Sequence, residues 1–168
     1  DFFGAFGTDF TFGDFNLHMQ FNYSYGADVY NANYNILAKF NSNSYNQMAF
    51  YKDRWTKDNM ASTQYSNMTN DQVCSAFVED ASYLRLKTLR FTWNLPSRWF
   101  GPRSHIGSIR TYISADNLFV LTNYSGYDPE VYSKQGSTSS SSILTSGFDY
   151  GVFPRARTFT LGFNFIFR

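Results

Sequence analysis

The chain has 168 residues, of which 21% are aromatic, including 19 Phe and 13 Tyr. Its formal net charge of +1 at pH 7 provides no field that would steer nucleic acid to the protein. The single cysteine, Cys74, excludes an intrachain disulfide, and no cysteine and histidine spacing typical of a zinc site occurs. Mean hydropathy is −0.39, and no run of about 18 apolar residues predicts a transmembrane helix. Any membrane role would therefore depend on β-strands.

A β-hairpin is predicted at the start of the chain. A short strand near residues 6–12 is followed by Gly13 and Asp14, which are typical turn residues between alternating strands. The next strand, residues 15–25, has polar side chains at every even position. Its odd positions hold large apolar residues, namely Phe15, Leu17, Met19, Phe21, Tyr23 and Tyr25. This strand is longer than the usual 5–6 or so residues of soluble proteins and has the length of a strand that crosses a bilayer.

The middle of the chain is predicted to hold a long polar loop and a third strand. The loop, residues 26–80, is rich in Asn and Ser, and helical spacing within it predicts short helices at residues 34–40 and 45–55. The third strand, residues 82–95, ends before Pro96. Its apolar residues change face part-way along, which indicates a β-bulge near Lys87.

Two more strands and a second long loop complete the pattern. The fourth strand is residues 108–121, and the loop after it, residues 122–156, includes a serine-rich segment, residues 136–142, that is typical of a mobile loop tip. The last strand, residues 157–168, again places a large apolar residue at every second position, namely Phe159, Leu161, Phe163, Phe165 and Phe167.

These patterns predict an all-β fold, consisting of about five C-terminal strands of a large antiparallel transmembrane β-barrel. Short and long connections alternate, as in outer-membrane barrels with short periplasmic turns and long extracellular loops. The chain starts in mid-pattern without a signal peptide, so residues 1–168 are interpreted as the C-terminal part of a longer protein. The side chains predicted to face lipid are Phe15, Leu17, Met19, Phe21, Phe159, Leu161, Phe163, Phe165 and Phe167.

Seven segments occur in the order in which a known family has them. They are residues 2–4, 22–30, 54–56, 82–96, 112–119, 124–131 and 147–162. Residues 82–96, for example, read SYLRLKTLRFTWNLP, and residues 124–131 read YSGYDPEV. In this order, and over nearly the whole chain, the segments resemble SusC/RagA-like TonB-linked outer-membrane transporters.

The resemblance implies a barrel of about 22 strands filled by an N-terminal plug. It also implies energy from TonB, a SusD-like lipoprotein as a lid, and import of oligosaccharides or peptides through the bacterial outer membrane. This chain departs from the family because it lacks the plug, the TonB-binding segment and most strands. The expected partners are thus the rest of the barrel and its plug, TonB through the absent N-terminal part, the lid, outer-membrane lipid and the cargo.

No catalytic group and no cofactor is predicted. His18 lies on the polar side of its strand and His105 in a turn, and neither has the spacing that would pair it with a nucleophile. The serines at 139–142 have no base beside them. No metal site is expected, although the best carboxylate candidates for Ca²⁺ are Asp128, Glu130 and Asp149; turn capping is favoured for Asp128.

Three aromatic residues are candidates for contact with the substrate or the lid: Trp55, Tyr124 and Tyr127. An aromatic ring offers a large apolar surface to a sugar or a protein, but it serves equally well as a buried anchor of a loop, which is the favoured interpretation of Trp55.

Two other functions remain open at this stage. One is a secreted, sugar-binding β-sandwich, which the aromatic residues in Asn-rich loops would suit. The other is an outer-membrane barrel without transport function, such as an enzyme, which would need a catalytic set of side chains facing one cavity.

Overall fold

The computed structural model describes residues 1–38, 46, 48–63, 75–101, 105–131 and 147–167. Cys74 and residues 136–142 lie outside the described residues. The helices and strands, in chain order, are β1 (Phe2–Phe12), β2 (Phe15–Tyr25), β3 (Asp28–Asn31), α1 (Ala32–Ala38), 3₁₀ helices at Ala49–Asp53 and Ser75–Phe77, β4 (Val78–Asp80), β5 (Tyr83–Leu95), a 3₁₀ helix at Ser97–Trp99, β6 (Ile106–Thr122), β7 (Phe148–Asp149) and β8 (Thr158–Phe167).

Five long strands form one antiparallel sheet in the order β1-β2-β5-β6-β8. This confirms the prediction of about five antiparallel strands. The bounds of β2 agree with the predicted ones. β1 begins earlier than predicted, at Phe2, because its first residues pair with the end of β2, with Phe2 opposite Tyr25.

The first hairpin turns through Gly13 and Asp14, as predicted. Phe12 pairs directly with Phe15, and Gly13 has a positive φ of 57°, a conformation that a glycine adopts at little cost. The carbonyl oxygen of Asp14 accepts a hydrogen bond from the Asn94 amide at 2.8 Å, which ties the turn to β5.

The predicted bulge at Lys87 is present in β5. The pairing of β5 with β6 shifts between Leu86 and Thr88, so the apolar side chains before and after the bulge stay on one face. The Lys87 ammonium donates a hydrogen bond to Asn117 Oδ1 at 3.1 Å, and Asn117 has a positive φ of 53°. Lys87 and Asn117 thus mark the irregular point of both strands.

A hydrogen-bonded clasp lies where β2 ends and β5 begins. The Gly26 amide donates to Ser82 Oγ at 2.9 Å, and Thr122 Oγ1 donates to the carbonyl oxygen of Ser82 at 2.8 Å. Gly26 has a φ of 81°, which favours glycine at this position. The clasp holds together the strand ends from which the two long connections depart.

The two long connections form a second compact unit, called here the loop unit, which consists of Asp28–Ala81 and Tyr124–Phe153. It contains a three-stranded sheet, β4-β3-β7, in which β3 pairs antiparallel with β4 and parallel with β7. The sequence pattern did not predict this small sheet. Its largest apolar cluster packs Tyr30, Ala32, Ala38 and Phe77 with the partly buried Tyr34, Phe50 and Phe148.

Both predicted helices are present in altered form. α1 begins before the predicted residue 34 because Asn31 caps it: Asn31 Oδ1 accepts a hydrogen bond from the Tyr34 amide at 2.8 Å. The second predicted helix, residues 45–55, is represented among the described residues by a short 3₁₀ helix at Ala49–Asp53. In the part of the chain that the structure describes, no helix is long and apolar enough to cross a membrane.

Candidate functional site

The register of the five-stranded sheet separates its side chains into an apolar face and a polar face. On β2, Phe15, Leu17 and Met19 lie opposite the apolar residues of β5, and on β8 the odd residues lie opposite Ala115, Ile113 and their neighbours on β6. All nine side chains predicted to face lipid therefore lie on one face. The five on β8 are between 51% and 69% exposed, although they are all large and apolar.

Aromatic rings gather at the two ends of the apolar face. At the end nearer the long connections, Phe2 and Phe6 flank Tyr23, with ring centroids 5.9 and 6.2 Å from it. At the other end, Phe15 stacks on Trp93 at 5.8 Å, and Trp93 meets Trp99 edge-on at 5.7 Å. Such paired belts are typical of strands that cross a membrane.

The polar face contains a concavity of about 610 Å³ near the short turns of the sheet. Its lining combines charged, amide and hydroxyl side chains from all five strands. The charged and larger polar side chains of the lining include Asp9, His18, Arg90, Asn94, Arg110 and Tyr112.

His18 lies within hydrogen-bonding distance of a carboxylate at the border of this concavity. Its Nδ1 lies 2.9 Å from Asp9 Oδ1, on the neighbouring strand of the hairpin. The residue opposite His18 on the next strand is Arg90, which offers no nucleophilic oxygen or sulfur. The contact therefore links β1 and β2 on the polar face and forms no part of a catalytic set.

Two arginines on the polar face are oriented by neighbouring side chains. The guanidinium of Arg90 lies over the Tyr112 ring, 5.0 Å from its centroid. That ring lies across Gly162, where a Cβ atom would overlap it. Arg110 Nε donates a hydrogen bond to Asn94 Oδ1 at 2.8 Å. No sequence pattern singles out these arginines and their neighbours, whereas the hairpin register alone places Asp9 beside His18.

Tyr124 and Asp149 form a buried polar pair in the loop unit. Asp149 is 1% exposed and Tyr124 is 6% exposed, and the Tyr124 hydroxyl donates to Asp149 Oδ2 at 2.7 Å. Asp149 Oδ1 also accepts from the amides of Gly151 at 2.8 Å and Val152 at 3.0 Å. Burial, and next the bond to Asp149, raise the pKa of Tyr124 well above its usual value of 10.0.

A second polar network holds the small sheet of the loop unit to the segment that follows Tyr124. Asn31 Nδ2 donates to Glu79 Oε1 at 2.9 Å and to Ser125 Oγ at 3.2 Å. Ser125 also binds Glu79 through its amide at 2.9 Å and through its hydroxyl at 2.8 Å. These bonds use both oxygens of the Glu79 carboxylate, so the network is structural.

Two of the three weak calcium candidates, Asp149 and Asp128, accept hydrogen bonds in different local structures. Asp149 binds Tyr124 and two amides, as described above. Asp128 Oδ1 accepts from the Glu130 amide at 3.0 Å, which is the turn-capping role favoured from the sequence. Within the described residues, no group of three His, Cys, Asp or Glu side chains is arranged to hold a metal ion.

The three predicted contact residues differ in accessibility. Tyr127 is 66% exposed and Trp55 is 41% exposed. The favoured interpretation of Trp55 as a buried anchor is therefore wrong, because much of its indole is open to contact. Tyr124 is corrected in the opposite sense: its ring is buried and its hydroxyl is used by Asp149, so it offers no surface to a substrate or a lid.

Comparison with known proteins agrees with this geometry. TonB-dependent receptor P3 of Formosa agariphila is 32% identical over 168 residues, covering 99% of this chain and 16% of the receptor. TonB-dependent receptor SusC of Bacteroides thetaiotaomicron is 29% identical over 97 residues, which are 58% of this chain. No family model matches.

This chain is also similar to a solved structure. A chain of the RagAB peptide transporter superposes with a TM-score of 0.81 at 25% identity, and the match covers 97% of this chain and 17% of that one. The chain thus spans about a sixth of the length of the Formosa receptor and of the RagAB chain, and its match covers 8% of SusC.

The five-stranded antiparallel sheet corresponds to a segment of the β-barrel of such a transporter, with which it superposes. The chain is similar throughout to a segment of SusC/RagA-like TonB-dependent receptors, and the resemblance seen in the sequence is confirmed.

Proposed function

We propose that this chain forms part of the wall and outer loops of a TonB-dependent transporter that imports a nutrient, either an oligosaccharide or a peptide, through a bacterial outer membrane. The observation that carries the proposal is the exposed apolar face of a sheet whose opposite face is polar. The similarity of the whole chain to named TonB-dependent receptors supports it.

The dimensions of the apolar face suit a bilayer. From Phe15 to Tyr25, the length of β2 is about 33 Å along the strand, which becomes about 24 Å along the membrane normal at a tilt of about 45°. The lipid-facing band of an outer-membrane barrel is about 25 Å tall. The aromatic belts at the two ends of β2 would therefore lie at the two membrane interfaces.

The polar face would then line the interior of the barrel. Its charged and amide side chains need water or other polar groups, which a barrel lumen provides and hydrocarbon does not. The outer edges of the sheet, β1 and β8, have no further strand beside them among the described residues. Because an open strand edge is not tolerated in hydrocarbon, we propose that the remaining strands of the same barrel pair with β1 and β8.

The loop unit would lie outside the cell, where long loops of such barrels occur. Its exposed Trp55 and Tyr127 are suited to contact with a lid lipoprotein or with cargo, as SusD-like partners of such transporters would require. Coupling to TonB and closure by a plug would depend on other parts of the protein.

The competing β-sandwich is less consistent with the structure. A sandwich covers the apolar face of one sheet with a second sheet. Among the described residues, the apolar face of the five-stranded sheet remains widely exposed, with Phe159 at 69% and Leu161 at 66%. In water, such a surface would cause aggregation.

Transport is tested with cells that carry or lack the complete gene. Uptake of fluorescently labelled oligosaccharides and oligopeptides is measured with and without a protonophore. We expect one cargo class to enter only when the gene is present and the proton-motive force is intact. Equal uptake by both strains, for both cargo classes, would contradict the proposed function.

A further inference from the structure

A groove of about 460 Å³ lies on the apolar face of the five-stranded sheet, at the end from which the long connections depart. Its floor consists of two leucines, Leu84 and Leu121, which lie directly opposite each other on β5 and β6. Its wall consists of Phe2, Tyr23 and Tyr25 from the first hairpin. This recess, called here the outer groove, is continuous with the surface that the proposed function places in lipid.

A glycine keeps the outer groove open. Tyr23 on β2 lies opposite Gly4 on β1 and opposite Leu84 on β5, so its ring can cover either neighbour. The ring lies over Gly4, where a Cβ atom would be 2.8 Å from the Tyr23 hydroxyl oxygen. Because the ring leans toward β1, it leaves the leucine floor uncovered, and Leu121 is 60% exposed.

The aromatic wall of the outer groove is formed before any ligand binds. The Phe2 ring meets the Tyr23 ring edge-on at a centroid distance of 5.9 Å and packs against the Tyr25 ring at 5.3 Å. Rings that already pack against one another lose little freedom when a ligand binds beside them. The wall and the leucine floor thus offer a prepared apolar channel to a hydrocarbon chain.

Polar groups line the outer groove where the strands end, and they are neutral. The hydroxyls of Ser82 and Thr122 are already used in the clasp. The side chains of Tyr25 and Asn123 are exposed and take part in no hydrogen bond among the described residues. Of the described residues that line the groove, none has a charged side chain. The rim thus suits an uncharged hydrogen-bonding group, such as a sugar, better than a phosphate, which arginine and lysine recognise.

We propose that the outer groove binds one glycolipid of the outer membrane leaflet, with an acyl chain on the leucine floor and the sugar at Tyr25 and Asn123. The site rests on the proposed function, because it requires the apolar face to lie in a membrane. A tyrosine at the interface keeps its ring in the apolar layer and its hydroxyl among the head groups. The site differs from the contact that any barrel makes with lipid because it selects the lipid by its head group.

The test uses the complete transporter, stripped of lipid in detergent, and two probes, monophosphoryl lipid A and phosphatidylglycerol with myristoyl chains. Both probes have one phosphate group, but only the first has sugars. Native mass spectrometry counts the lipid molecules that stay bound. We expect one molecule of lipid A to be retained about tenfold more strongly than phosphatidylglycerol. Salt during loading should change this little, because the lining has no charged side chain.

Three variants make the test specific. Leu121→Trp fills the groove and should weaken retention of lipid A about tenfold. Leu161→Trp is the matched control, because Leu161 is 66% exposed on the same face but lies outside the groove, and it should change nothing. Tyr25→Phe keeps the wall and removes only a hydroxyl, so it should weaken lipid A about fivefold and leave phosphatidylglycerol unchanged. This conservative variant keeps the test decisive if Leu121→Trp fails to assemble.

Several results would overturn the proposal. Equal retention of lipid A by Leu121→Trp and Leu161→Trp would show unspecific lipid only, and equal retention of the two probes would show that the sugar is not recognised. If Leu121→Trp instead lowers co-purification of a lid lipoprotein and leaves lipid A bound, the groove holds the anchor of that protein. Nutrient uptake by a transporter that fails these lipid tests would refute the groove alone and leave the proposed function intact.

Discussion

The five-stranded sheet and the loop unit distribute their apolar residues in opposite ways. Of the nine buried apolar side chains among the described residues, seven lie in the loop unit, and the sheet contributes only Leu86 and Ala115. The sheet instead exposes most of its Phe side chains. One chain thus contains a unit with an apolar interior and a unit with an apolar exterior.

Aromatic residues of the same types are buried in the loop unit and exposed in the sheet. In the loop unit, Phe77 and Tyr30 are removed from water by packing against each other, with ring centroids 6.3 Å apart. In the sheet, Phe163 and Phe165 remain 59% and 51% exposed. Burial, and not composition, therefore distinguishes the two units.

The largest effect is expected when the sheet is deprived of the rest of a barrel. Residues 1–168 produced alone should aggregate instead of inserting into vesicles, because the edges of β1 and β8 stay unpaired and the apolar face stays uncovered. Size-exclusion chromatography in buffer without detergent measures this. A monodisperse, folded preparation would contradict the assignment of an apolar exterior to the sheet and would favour a β-sandwich.

The next effect compares the two faces of one strand in the complete protein. Phe163→Arg should destabilise the barrel by about 2–4 kcal/mol, because the charge enters hydrocarbon near mid-membrane, whereas Asn164→Arg should be tolerated by the wet interior. Unfolding in lipid vesicles with denaturant gives both values. Equal losses in the two variants would show that the faces have been assigned wrongly.

A smaller effect is expected in the loop unit. Tyr124→Phe removes one of the three hydrogen bonds to the buried Asp149 and should destabilise this unit by about 1–3 kcal/mol, while the barrel is unaffected. Limited proteolysis of the loops, with Tyr127→Phe as the exposed control, measures the change.

The same tyrosine predicts a pH dependence. Its pKa is raised in the folded protein above the usual 10.0, so its contribution to stability is complete below about pH 10 and is lost as the pH rises further. Loop proteolysis should therefore accelerate above pH 10 in the native protein and less steeply in Tyr124→Phe. The same pH profile in both proteins would contradict this assignment.

The smallest effect on stability is expected at Trp55. Because this side chain is partly exposed, Trp55→Ala should lower the free energy of unfolding by only about 1 kcal/mol, yet weaken lid docking or uptake. Growth on the cognate polymer and co-purification of the lid protein are the measurements. Deletion of residues 136–142 is the control and should be nearly silent. If the deletion abolishes uptake and Trp55→Ala changes neither uptake nor lid docking, the proposed importance of Trp55 over residues 136–142 is contradicted.

The sheet could be predicted from the sequence because its strands are long enough for alternation to be visible. β2 and the bulge at Lys87 follow directly from the positions of apolar residues. The hairpin register also determines one side-chain pair: with Phe12 opposite Phe15, Asp9 must lie opposite His18. The stacking of Arg90 on Tyr112 depends on the pairing of β5, β6 and β8, which no local pattern reveals.

The loop unit could not be predicted in the same way. β3, β4 and β7 have only four, three and two residues, too few for a period to be recognised. They are held by side chains distant in sequence, such as Asn31, Glu79 and Ser125, and by the parallel pairing of β3 with β7. The burial of Tyr124 was likewise not evident from the sequence, because its neighbours Asn123, Ser125 and Gly126 are small and polar.

The clasp at Gly26 and Ser82 has a consequence for how such loops can change during evolution. Pairing of β2 with β5 already brings the ends of the long connection together, so the chain entropy of closing that loop is lost when the sheet forms. Doubling the length of a flexible loop then costs only about 0.6 kcal/mol more. Insertions between Gly26 and Ser82 could accumulate with little effect on the stability of the sheet. New loop surfaces could thus arise while the five-stranded sheet stays unchanged.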